Sequence, residues 1–405
     1  MTIGPRVSIP QPHAQWGIPT ALQIRDLQAY IAKGGPMSIY GDEGIYEKLE
    51  AELARIYNVP YCILTNTGTS ALNSGYFGLG IERGDEVIVP SYTFLATVTP
   101  LLRLGAKIVF CDADAATGNL SARDLERKLS SRTRAVAITH MWGVPCDMDS
   151  LIAVIKSSGV KLLEDCSHAH FTRYNGRLLG TYGHVSCFSI GAKKVMTSGE
   201  GGFLLTSDPE IYIRATMLGH FVRRSEQAIE RVRRDGWNDI AERYSSYSIG
   251  FGENYRMHPY SAVMAFSLLE TGEIYRMISN RRASLKYFES ALQSVQGIEP
   301  PRVDDNYYSG AMYGFKAVIS SAHSREDLLQ IITALRDRNV SIKLPDTGTL
   351  HREVIFGVQS DEEFPGAVEY LRGRVSLPTF SEGLPLDKKV IDEYAEVLNY
   401  VLAVT

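Results

Sequence analysis

From Tyr61 onward one pattern repeats: short apolar runs alternate with amphipathic stretches. The runs are YCILT (61–65), EVIVPS (86–91), KIVFCDAD (107–114), RAVAITHMWG (134–143), VKLLEDCS (160–167), VSCFSI (185–190) and GFLLTSD (202–208). A strand apolar at consecutive positions has to bury both faces, and helices between such strands let neighbours run in the same direction. The reading is an α/β fold with a mostly parallel central sheet sandwiched by helices. Many of these runs end in polar residues, and in open α/β sheets the ligand site lies at the strands' carboxyl ends.

The rest of the chain frames this core. Residues 1–25 carry Pro5, Pro10 and Pro12 and read as an extended N-terminal arm. Helical patterns follow near Thr20–Lys33 and Gly44–Tyr57, separated by the break Gly35-Pro36. The large unit is expected over 26–270. Within it, about 220–250 interrupts the rhythm with Arg223, Arg224, Arg231, Arg233, Arg234 and Arg243, and reads as a polar helical insertion. A long helix is expected over about 258–295. The remainder, within a small α+β unit assigned to 271–405, reads as strand, helix (324–338), strand, loop, strand (374–377) and helix (387–403).

Composition excludes several classes. There are 42 basic and 46 acidic residues, a net charge of −4, so no strong field invites nucleic acid or an anionic membrane. No apolar run approaches a membrane span, and the N-terminus lacks the apolar core of a secretory signal. The five cysteines form no CxxC pair. Neither a disulfide framework nor a metal site is expected, and buried thiols in a cytoplasmic protein are the simplest reading.

Four segments carry chemistry. Asn66-Thr67-Gly68-Thr69-Ser70 follows a strand and opens a helix. It is either a phosphate cradle or an ordinary capped turn. Asp165, in Glu164-Asp165-Cys166-Ser167-His168, stands where an apolar strand runs out. It either holds a protonated ring nitrogen or caps the next turn. Lys193 and Lys194 follow the strand ending near Ser189 and precede Gly199-Glu200-Gly201-Gly202. Lysines are usually solvated, but one that is partly desolvated becomes a nucleophile. Gly252-Glu253-Asn254-Tyr255-Arg256-Met257 alone reads as a loop.

In this order the four segments resemble the DegT/DnrJ/EryC1/StrS family of pyridoxal-phosphate-dependent sugar and cyclitol aminotransferases. PSYTFLAT (90–97), HMWGVPCDMD (140–149) and YNGRLLGTYGHVSCFS (174–189) fit the same family. The resemblance is good over 30–290 and weaker beyond. It implies the fold type I transferase architecture and an intertwined homodimer with shared active sites. Lys194 then matches the Schiff-base lysine, with Lys193 ranked below it. Asp165 matches the partner of the pyridinium nitrogen, and His168 the residue near the phenolic oxygen. Gly68, Thr69 and Ser189 match the phosphate cradle of pyridoxal 5′-phosphate, and Phe94 the aromatic that stacks on its ring. Asn254 matches the residue that reaches the phosphate from the partner subunit.

The expected activity is transfer of an amino group from glutamate or glutamine to a keto sugar, nucleotide-linked, or to a keto cyclitol, by a ping-pong Schiff-base route. The alternative is another pyridoxal-phosphate reaction on the same scaffold: a dehydration, whose branch carries a histidine in place of the lysine so that Lys194 argues against it, or aromatic-amine synthesis of the aminohydroxybenzoate-synthase kind. A non-enzymatic paralogue is a third class, which the retained Lys194, Asp165 and phosphate turn disfavour. The insertion is expected near the active-site mouth, where its arginines either meet a substrate anion or form a charged surface helix. His351, in Thr349-Leu350-His351, is either a substrate contact or a satisfied histidine.

Overall fold

A computed structural model describes residues 4–8, 18–191, 193–301, 312–379 and 387–404. Its centre is a seven-stranded sheet. In chain order the strands are β1 (Tyr61–Thr65), β2 (Glu86–Pro90), β3 (Lys107–Cys111), β4 (Thr133–Thr139), β5 (Lys161–Asp165), β8 (Val185–Ser189) and β9 (Gly202–Thr206), with a small hairpin β6 (Arg173–Tyr174) and β7 (Arg177–Leu178) between β5 and β8. The spatial order is β1-β9-β8-β5-β4-β2-β3. Every pairing is parallel except those of β9, which runs antiparallel between β8 and β1.

Alternation along each strand explains the layers. Cys62, Leu64, Val136, Ile138, Leu162, Phe188 and Phe203 enter one apolar cluster. Their neighbours Tyr61, Ile63, Ala135, Ala137, Leu163, Cys187 and Leu204 enter another on the opposite face. The run at 134–143 is a strand only to Thr139; beyond it the chain turns, with Trp142 at φ +58°. All five cysteines are buried free thiols.

One helix expectation is corrected, and the open reading of the insertion is narrowed. The helix expected over 258–295 is two helices, Pro259–Glu270 and Glu273–Leu292. Gly272 breaks it in the left-handed region at φ +69°, which glycine reaches at no steric cost. Of the two readings of the insertion, the structure supports the charged helix, with most of its arginines engaged within the chain. Its helices Arg223–Arg234 and Asn238–Tyr244 cover the open edge of the sheet beside β1. Arg224 is 2% exposed and pairs with Glu50 at 2.6 Å and Asp42 at 3.3 Å. Glu50 in turn accepts the Leu64 amide at 3.0 Å. Arg231 donates to the Pro60 carbonyl at 2.6 Å, and Arg223, Arg233 and Arg243 pair with Glu43, Glu230 and Glu210. A sheet edge left bare invites association, and this helix covers it.

A second sheet, β10 (Ile298–Glu299), β11 (Phe315–Ile319) and β12 (Arg374–Leu377), is antiparallel in the order β10-β11-β12. The strand expected between the helix Arg325–Arg336 and β12 reduces to one bridge, Lys343 to Ser376. Its core joins Leu285, Phe288, Phe315, Ile331, Val375 and Leu398. Val7 of the N-terminal arm docks there, its amide donating to the Arg338 carbonyl at 3.1 Å. Pro10 and Pro12 lie outside the described residues. Leu350, Phe364, Ala367 and Tyr370 cross back to pack on the large sheet.

Candidate active site

Three parallel strands end together, β1 at Thr65, β5 at Asp165 and β8 at Ser189. Because β9 runs the other way, its first residue, Gly202, pairs with both Thr65 and Ser189. The lysine segment, residues 190–201, is therefore a loop tied at both ends to the sheet. The Ile190 amide donates to the Gly201 carbonyl at 2.9 Å, and Ser198 N–H donates to the Ile190 carbonyl at 3.0 Å.

The turn after β1 is built for close approach. Thr67 caps the helix Gly68–Gly78, its Oγ1 accepting Ser70 N–H at 3.0 Å. A Cβ on Gly68 would stand 2.5 Å from Ser189 Cβ, and one on Gly202 2.5 Å from the Thr67 carbonyl. Glycine thus lets this helix start press against Ser189, which leaves unpaired amides and a positive helix end beside a hydroxyl. Thr69 lies exposed in the first helical turn.

Asp165 is 3% exposed. Its Oδ2 accepts the Thr97 hydroxyl at 2.7 Å and its Oδ1 accepts the Ser167 amide at 3.0 Å. Thr93 and Thr139 extend this hydroxyl network, 2.8 Å apart. Lys194 is half-buried, and exposed Lys193 stands beside it. Burial brings the Lys194 ammonium down to about 8; Asp165 opposes that fall and Lys193 adds to it. Burial holds His168 well below the usual imidazole range, assisted by Lys194 and Lys316. Its Nδ1 accepts the Trp142 amide at 3.3 Å, so its remaining proton sits on Nε2.

The other expected residues lie around this centre. Phe94, just beyond β2, keeps 52% of its surface open. Asn254 is exposed, and its carbonyl accepts Asn66 Nδ2 at 3.4 Å, so it flanks the cradle turn of its own chain. His351 is fully buried, stacked on Phe364 at 4.2 Å with Nε2 3.1 Å from Asp361. It is a packed histidine.

Sequence reasoning missed four neighbours. Tyr313, just before β11, stacks on His168 at 4.0 Å and 11°, with Lys194 Nζ 4.3 Å from its ring centroid. Trp142 lies parallel to both rings. Lys316 is 7% exposed, its Nζ 3.6 Å over Trp142. His170 is 1% exposed, and burial and Lys194 hold its imidazole down to about 3. Tyr313 and Lys316 stand far along the chain from every motif and carry no local signal. His170 follows His168 by two, and that HxH spacing was the available clue. One further cluster, His140, Glu164 and Cys166, gathers possible metal ligands. Its atoms are already engaged: His140 lies 3.3 Å from Glu164, which also accepts the amides of Gly180, Tyr182 and Gly183. The cluster reads as a latch on the turn before β8.

This architecture is that of known aminotransferases. Superposition on the aminotransferase from Psychrobacter cryohalolentis gives a TM-score of 0.81 at 24% identity, covering 97% of this chain and 99% of the other. The 3-amino-5-hydroxybenzoic acid synthase gives 0.78 at 24%, covering 98% and 100%. The chain belongs to the DegT/DnrJ/EryC1/StrS aminotransferase family, which it matches over residues 27–393. Among relatives, it is 33% identical to GDP-perosamine synthase of Escherichia coli O157:H7 over 249 residues, spanning 62% of this chain and 63% of that protein.

The residues present fit pyridoxal 5′-phosphate. The glycine-lined helix start suits its phosphate, since a Cβ at Gly68 would close the gap to Ser189. The buried, hydrogen-bonded carboxylate of Asp165 suits its ring nitrogen, and the low-lying ammonium of Lys194 suits its carbonyl carbon.

Proposed function

We propose that this chain is an aminotransferase that moves an amino group from glutamate or glutamine to a keto sugar, nucleotide-linked, or to a keto cyclitol. The convergence of Lys194, Asp165 and His168 beside one glycine-lined helix start carries the reading. The likeness to a GDP-perosamine synthase supports the nucleotide-linked acceptor.

Gly68, Thr69 and Ser189 would hold the cofactor phosphate, Asp165 the pyridine nitrogen, His168 the phenolic oxygen, and Phe94 the open ring face. Bound pyridoxal phosphate supplies an electron sink for the carbon that loses its proton. Lys194 Nζ takes that proton from the donor's Cα. It does so only as a free amine, and burial brings its ammonium down to about 8. Thr97 and the Ser167 amide fix the Asp165 carboxylate so that it stays aimed while charge moves. His168, neutral, offers its Nε2 proton as a hydrogen-bond donor.

The same proposal extends to the domains and the assembly. It gives a large unit to about residue 270 and a small one beyond it, a cytoplasmic homodimer, and Asn254 serving the partner's site. Among the described residues no helix is long and apolar enough to cross a membrane. The deciding experiment is an absorbance spectrum of the cofactor-loaded protein before and after excess glutamate or glutamine. Loss of the visible band with growth of a near-ultraviolet one supports the reading. A band unmoved by both donors sinks it.

A further inference from the structure

A buried ammonium normally reaches water or an acid, because desolvation of an unpaired charge is costly. Lys316 on β11 is held differently. It is 7% exposed, and its Nζ donates to Ser376 Oγ and lies 3.6 Å over the face of Trp142. Among the described residues no carboxylate lies within 4.0 Å of it. Asp346, whose charge it feels, is engaged by Lys343 at 2.5 and 2.7 Å. The other charged and titratable groups facing it are Lys343 and Arg374 from its own sheet and His168 from the large one. Cations prevail in this corner, and burial brings Lys316 itself down to about 7.

The corner belongs to the reacting centre. Trp142, under Lys316, lies parallel to His168 at 5.4 Å, and Lys194 and Lys316 both bear on that imidazole. We infer that Lys316 anchors the carboxylate of the amino donor, an inference that rests on the aminotransferase reading. Every amino-acid donor carries a carboxylate one bond from the carbon that loses its proton. Its anchor must therefore share a wall with Lys194. The diphosphate of a nucleotide sugar lies several bonds from the reacting carbon and belongs nearer the rim. When the uncharged ring of the acceptor takes the donor's place, Lys316 meets its hydroxyls instead.

The test is calorimetric titration of the cofactor-loaded protein with glutarate, a donor analogue that lacks the amino group. The wild type should bind it, and more weakly as pH rises through about 7, because the protonated lysine is the binding form. Lys316→Met should weaken binding about ten- to hundredfold, the worth of a hydrogen bond to a charged group, and abolish the pH dependence. Lys316→Arg should recover part of the affinity, and both variants should keep the cofactor's visible band. Equal glutarate affinity in Lys316→Met, or no binding by the wild type, overturns the anchor. Should Lys316→Met lose the cofactor band, Lys316→Arg decides alone: affinity that keeps its pH dependence through about 7 overturns the anchor, since a guanidinium does not titrate there. The aminotransferase reading fails separately, when glutarate binds as expected yet glutamate and glutamine leave the band unmoved.

Discussion

Lys193 and Lys194 are neighbours in the chain with different surroundings. Lys193 is exposed, whereas Lys194 turns inward over Tyr313, where the charge of Asp165 acts on it. Lys194→Ala should lower turnover to below about 1% of wild type, the scale of a lost general base, while Lys193→Ala stays active. Steady-state rates of the two variants check this, and an active Lys194→Ala refutes the assignment. Below about 8 Lys194 is a cation and above it a free amine, so the donor half-reaction should quicken as pH rises through that value. A flat rate profile between pH about 7 and 9 would count against it. Asp165→Asn keeps the hydrogen-bonding shape but loses the charge. It should retain cofactor and lose most activity, read by absorbance and rate together. These residues were legible because each sits beside a local signal, a strand end or a glycine turn. Tyr313 and Lys316 were not, because tertiary contact alone brings them to Trp142 and His168.

At the scale of elements, β9 sets the tolerance of the site. A methyl at Gly202 meets backbone atoms, the Thr67 carbonyl at 2.5 Å and the Gly68 nitrogen at 2.6 Å. Backbone yields less than a side chain tip, so Gly202→Ala should cost about 1–3 kcal/mol and weaken cofactor retention. Thermal unfolding and bound-cofactor absorbance measure both, and an unchanged pair of values disproves the close-packed cradle. The insertion makes a separate prediction. Arg224→Met strands Glu50 in the interior and should cost about 3 kcal/mol or more in denaturant unfolding. Adding Glu50→Gln should restore part of that. Seven strands were readable from their apolar runs, most of them because burial on both faces leaves no alternation to confuse; β3, at the sheet edge, is partly open. The direction of β9 was not, since an apolar run reads the same whichever way it points. The insertion's helical period was equally plain, but its arginines' partners lie as far away as Glu50 and Pro60. Gly272 was visible in the sequence, yet the apolar pattern continues across it and masked the break.

For the whole molecule, the question is whether one chain makes a complete site. Asn254 borders its own cradle turn through Asn66, whereas the family resemblance gives it to the partner subunit. Mixing inactive Lys194→Ala with inactive Asn254→Ala protein, at limiting cofactor, distinguishes the two. Shared sites regain activity, because one site in each mixed dimer escapes both lesions, and self-contained sites regain none. The overall α/β plan was legible from Tyr61 onward. The return of Leu350, Phe364 and Tyr370 to the large sheet was not, because short apolar stretches do not name the core they join. The same meeting of the two sheets leaves a tryptophan under Lys316 and beside His168. Of the three tryptophans in the chain, Trp237 is half exposed at the sheet edge and Trp16 lies outside the described residues. Replacing Trp16 and Trp237 with phenylalanine would leave Trp142 as a lone fluorophore, an optical gauge through which emission follows the filling of the pocket in real time without any added dye.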